Sequence, residues 1–90
     1  MKTRSQVEAA IRTIEAKDVR KHEDTVKLGR YTSAINAIEK QQSMLDQIAR
    51  HEADENVVMA RQTRDNYELW LSTQSDLAKS LCDEAREAIA

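Results

Sequence analysis

Proline and phenylalanine are missing from this 90-residue chain, and glycine, cysteine and tryptophan occur once each. Each shortage closes something off. Without Pro, no residue deprives the backbone of an amide donor or forces a kink. A lone glycine, Gly29, cannot build the Gly-rich turn that cradles phosphates, which excludes nucleotide sites of the strand–turn–helix kind. Cys82 alone forms neither an internal disulfide nor a paired-cysteine metal framework. With aromatics reduced to Tyr31, Tyr67 and Trp70, a core must come from Ala, Val, Ile, Leu and Met. No apolar run approaches the roughly 20 residues that span a bilayer. The opening MKTRSQVEAAIRTIEA leads into charges rather than an apolar stretch, so no secretory signal and a cytoplasmic location are expected.

Excess charge of one sign is also lacking. Fourteen basic residues face sixteen acidic ones, which predicts no general affinity for nucleic acid or anionic lipid. Residues 1–30 carry a net +3, residues 31–60 a net −3 and residues 61–90 a net −2.

What remains is rich in helix formers, with apolar residues recurring every three or four positions. Such composition and spacing predict an all-α protein. Ser5 and Glu8 match a capping box, and Val7, Ala10, Ile11 and Ile14 follow on one face. The stripe fades from Lys17 to Asp24 and resumes at Val26 and Leu28. Gly29, just past Lys27 and Leu28, suits a helix end, with Thr32 or Ser33 capping the next helix. That second helix carries Ile35, Ile38, Gln42, Leu45 and Ala49 at alternating spacings of three and four, as in a coiled-coil seam. The polar run His51–Asn56 reads as a turn; if it stayed helical, the second and third segments would merge into one rod. The third segment carries Tyr67, Trp70, Leu77 and Leu81, with Cys82, Ala85 and Ile89 alongside, and Ser72–Ser75 as a point of kinking or ending. The expectation is one helical domain over 1–90, with helices at about 5–28, 33–52 and 57–89. They would form an elongated antiparallel three-helix bundle or a helical hairpin with coiled-coil-like packing.

Chemistry-bearing patterns are few. His51-Glu52 opens like a zinc-protease helix, but Glu55 stands where the second His is needed, and neither His51 nor His22 has a Glu three positions before it. Cys82 sits among apolar and acidic neighbours, which oppose thiolate formation. No catalytic residue, metal, cofactor or small-molecule substrate is expected.

Two surface candidates stand out. Lys17, Arg20, Lys21, Lys27 and Arg30 would share roughly one side of a continuous first helix, a candidate stripe for phosphates interrupted by Glu23 and Asp24. Tyr67, Leu69, Trp70 and Leu71 concentrate scarce large side chains around one helix, more than a single neighbouring helix covers; Trp and Tyr are enriched at binding hot spots. The alternative for Trp70 is a plain core role. The expected function is therefore a small helical interaction protein, an adaptor, assembly factor or inhibitor. It would bury an apolar helix face against a protein partner or a second copy. A nucleic-acid-associated helical regulator using the basic N-terminal helix is the alternative.

Overall fold

The computed structural model describes the backbone of residues 2–89 and the side chains of residues 2–88. Met1, Ala90 and the side chain of Ile89 lie outside it. The described residues form α1 (Arg4–Glu15), α2 (His22–Ala53), α3 (Val57–Ser72) and α4 (Asp76–Ile89), with no strand among them. The all-α bundle expected from composition and spacing is observed. Its helices, however, are divided differently.

The first correction concerns the start of α1. Thr3, not Ser5, is its N-cap: the Thr3 hydroxyl accepts from the Gln6 amide at 3.3 Å, and the Gln6 side chain accepts from the Thr3 amide at 2.9 Å. Thr3-x-x-Gln6 fits the capping box as well as Ser5-x-x-Glu8 does. Ser5 therefore lies within the helix, and Glu8 pairs with Arg4 at 2.8 Å.

The second correction is larger. The first helix ends at Glu15 rather than near 28, and α2 runs unbroken through Gly29, Thr32 and Ser33. Of residues 15–23 none is buried, and Val19 is 82% exposed. Helix through that stretch would cover no apolar face, so packing gives the backbone no reason to continue. The break supplies its own partners. Arg20 donates to the Glu15 carbonyl at 3.2 Å, and Asp24 accepts from the Lys21 amide at 3.1 Å and from Lys17 Nζ at 2.8 Å. Asp24 thus plays the back half of a capping box for α2. Both contacts hold its carboxyl below the usual carboxylate range, the Lys17 bond most and the Lys21 amide next. Gly29 is exposed with ordinary helical backbone, and an added Cβ there would meet nothing within 4 Å. One interior glycine costs only about 1 kcal/mol, too little to end a helix in which the neighbouring Leu28 and Tyr31 are half-buried and Ala34 is buried.

The turn expected over His51–Asn56 exists and occupies its second half. Glu55 takes a left-handed conformation (φ 57°). The Asn56 amide reaches back to the His51 carbonyl at 2.8 Å and the Glu55 amide to Glu52 at 3.1 Å, a Schellman ending with glutamate where glycine is usual. Asn56 then caps α3 by accepting from the Met59 amide at 3.2 Å. The polar run after Trp70 ends the third segment outright. Ser72 donates to the Leu69 carbonyl at 2.6 Å and Thr73 to Trp70 at 2.7 Å, diverting carbonyls that a longer helix would use. Ser75 caps α4, accepting from Ala78 at 3.2 Å.

Contacts gather into two compact units. One takes in the chain through Ile38 and resumes at Ser75; the other is Glu39–Gln74. In the first unit Val7 and Ile14 of α1, Ala34, Ala37 and Ile38 of α2, and Ala78, Leu81 and Cys82 of α4 are buried. Cys82 Sγ donates to the Ala37 carbonyl at 3.7 Å, and the Arg4 amide donates to Glu84 at 2.9 Å. In the second unit α3 returns antiparallel along the later part of α2. It buries Ile48, Ala60 and Tyr67 together with Gln41 and Thr63. The inward seam of α2 therefore runs Ala34, Ile38, Gln41, Leu45, Ile48, and Gln42 and Ala49 lie exposed. The expected register holds at Ile38 and Leu45 and is displaced by one residue at Ile35, Gln42 and Ala49. The Tyr67 hydroxyl, which donates to Gln41 Oε1 at 2.7 Å, selects Gln41 over its neighbour.

Candidate protein-docking surface

α3 has three faces, and its residues sort among them except that Val57, 74% exposed, falls on the charged one. The inward face is Ala60, Thr63 and Tyr67, buried, continued by the half-buried Trp70 and Leu71. The spacing of three and four puts them on one side of the helix, toward α2. Tyr67 is 6% exposed, its ring centroid is 6.1 Å from that of Trp70, and Lys40 Nζ lies 5.7 Å from the Trp70 centroid, in cation–π range. The four residues singled out from the sequence are thus divided. Tyr67 belongs to the core, Trp70 and Leu71 straddle its edge, and Leu69 stands 67% exposed.

One outer flank of α3 carries its charges: Arg61, Arg64, Asp65 and Glu68, with Arg64 paired to Glu52. The other flank carries none. Met59, Gln62, Asn66, Leu69 and Thr73 succeed one another at spacings of three, four, three and four, a heptad-like stripe. All five are exposed, Val58 beside them is 75% exposed, and Trp70 borders the strip on its inward side. α2 carries an uncharged exposed strip of the same spacing, His22, Thr25, Gly29, Thr32 and Asn36, but only the α3 strip of the two holds large apolar side chains, Met59 and Leu69. Depletion of charge, rather than sheer hydrophobicity, is what distinguishes the centre of a protein interface from ordinary surface. A search for large side chains finds Leu69 and Trp70 but misses Met59, Gln62 and Asn66. Their shared spacing, and the absence of Lys, Arg, Asp and Glu from it, is the signal that the sequence offers for them.

The basic candidates do not assemble as a stripe. The break between α1 and α2 removes the single helix that would have aligned them. Lys17 is tied to Asp24, Arg20 reaches the Glu15 carbonyl, Lys21 stands at the start of α2, and Lys27 and Arg30 project from α2. Cys82 is fully buried in the first unit, and burial together with the nearby Asp83 charge pushes its thiol pKa up, away from nucleophilic use. Among the described residues no group of three or more His, Cys, Asp or Glu is placed to hold a metal, and no helix is long and apolar enough to cross a membrane. No protein-family model matches the chain, and no curated protein or solved structure is detectably similar to it.

Proposed function

We propose that this is a helical interaction protein that docks through the uncharged flank of α3. It works by covering that surface, without bond chemistry, in the manner of an adaptor, assembly factor or inhibitor. The observation that carries the reading is the exposed strip from Met59 to Thr73, with Leu69 as its largest exposed apolar side chain and Val58 beside it. Helix-in-groove and helix-on-helix recognition use anchors at this three–four spacing, with polar neighbours setting register. Trp70 contributes its exposed edge and stiffens the strip from behind, through Tyr67 and Lys40. The single, buried free thiol suits a reducing compartment, so the proposal places the protein in the cytoplasm.

A photoreactive benzophenone amino acid at Leu69, compared with the same group at Glu68 on the charged flank, tests this in living cells. Discrete covalent adducts from position 69 and none from position 68 support docking on the uncharged flank. Equal yields, or no adduct from either, would reject it.

A further inference from the structure

Building on that reading of the α3 strip, we infer that its occupant is a second copy of this chain, docked α3 against α3 in antiparallel orientation. From Met59 to Leu69 the strip is complementary to itself, and Thr73 lies beyond the paired part. In a two-fold antiparallel helix pair, positions equally far on either side of the axis meet each other. With the axis at position 64, Met59 meets Leu69 of the second copy and Gln62 meets Asn66 of the second copy, and each contact occurs twice. Apolar side chains face apolar ones, and amide faces amide. Carboxamides both donate and accept, so Gln62 and Asn66 satisfy one another without any charge. Charged residues in their place would have needed a partner of chosen sign. The antiparallel arrangement also sets the helix dipoles head to tail.

On α3 the charged side chain that borders the strip near the axis is Asp65, and there it approaches its own copy. Arg61, one turn earlier on α3, offsets part of that repulsion. The paired part, Met59 to Leu69, spans about 15 Å along the helix, from its residue count and the rise per residue. That is shorter than an interface of about 800 Å² per partner requires, so the dimer is a weak one, with dissociation constants of roughly 0.01–1 mM. Because Asp65 opposes association, added salt strengthens the dimer rather than weakening it.

Sedimentation equilibrium of the full chain up to about 1 mM reads the result. The wild type dimerises, and Asp65→Asn tightens the dimer about threefold by removing the like-charge contact. Two double variants at exposed positions give the decisive contrast. Gln62→Lys with Asn66→Lys sets cations against cations and weakens association at least tenfold, about 1.4 kcal/mol. Gln62→Lys with Asn66→Asp sets Lys against Asp twice across the axis and retains wild-type association or better. Circular dichroism confirms that each monomer keeps its helix content. A wild type that stays monomeric at every concentration overturns the inference, as does equal loss in both double variants. The cross-linking at position 69 separates this failure from failure of the docking reading. An adduct of foreign mass from a monomeric wild type keeps the strip as a docking surface and removes the second copy as its occupant. No adduct removes both.

Discussion

The two units solve the problem of a small apolar inventory in opposite ways. In the first, Val7, Leu81 and Cys82 have no exposed surface, and alanines at 34, 37 and 78 let three helix segments approach closely. Among the described residues its buried side chains are all apolar. In the second, the most enclosed described side chain is a glutamine, Gln41, and the core is completed by Thr63 and by a tyrosine hydroxyl. A dry core gives stability through area removed from water, about 1.5–3 kcal/mol for each large aliphatic side chain. A mixed core gives less stability and more definition of register, because a buried amide must meet its partner. The exposed, uncharged strip belongs to this second, mixed unit. Apolar and neutral material left over on α3 serves the outside of the helix rather than its inside.

Leu81→Ala tests the contrast most severely. Truncating a fully buried leucine should cost about 3 kcal/mol, read as a lower denaturation midpoint at unchanged slope. Ile48→Ala in the second unit, at 8% exposure, should cost less; an equal or larger loss would erase the distinction. Next in size is Tyr67→Phe, which removes the hydroxyl donated to Gln41 and should cost about 1–2 kcal/mol despite leaving the ring in place. A neutral result would mean that the polar centre of the second unit does not hold its register.

Two changes should raise stability. Glu55→Gly relieves a left-handed glutamate in the turn between α2 and α3 and should add about 1 kcal/mol. Gly29→Ala places a methyl group in open space on a regular helix and should add about 0.5–1 kcal/mol. Loss of stability in either variant would contradict the backbone described there. The smallest effect is electrostatic. The Asp24 carboxyl is held below its ordinary value, so its contribution is fully present above that ordinary value and is lost as pH falls through the lowered one. Asp24→Asn should flatten the acid limb of the stability profile, and carboxyl titration by NMR should place Asp24 below the ordinary aspartate value.

Helix content, the turn before Asn56 and the interruption after Leu71 were legible because they depend on local chemistry: good helix formers, a polar run, and Ser and Thr that capture carbonyls. Gly29 misled for a reason of magnitude. An exposed glycine in a long helix is a small penalty, whereas the apolar desert from Glu15 to Glu23 withholds all packing gain. The Gln41-Gln42 pair was ambiguous in principle, since either fits a polar seam position. The choice is made by Tyr67, 26 residues further on. The uncharged flank of α3 was legible only in part: Leu69 stands out by size, whereas Met59, Gln62 and Asn66 are marked only by the charges that their positions omit.

The distance in sequence between paired groups differs sharply between the units. Tyr67 and Gln41 are 26 residues apart, whereas Cys82 and Ala37 are separated by 45 and Arg4 and Glu84 by 80. Closing the longest of these loops costs about 1 kcal/mol more chain entropy than closing the shortest. The α2–α3 hairpin, built from local contacts, should therefore form early as the chain folds, and the joining of α1 to α4 should come late. The unit with the mixed core then acts as the nucleus, and the unit with the apolar core is completed only when the two ends of the chain meet.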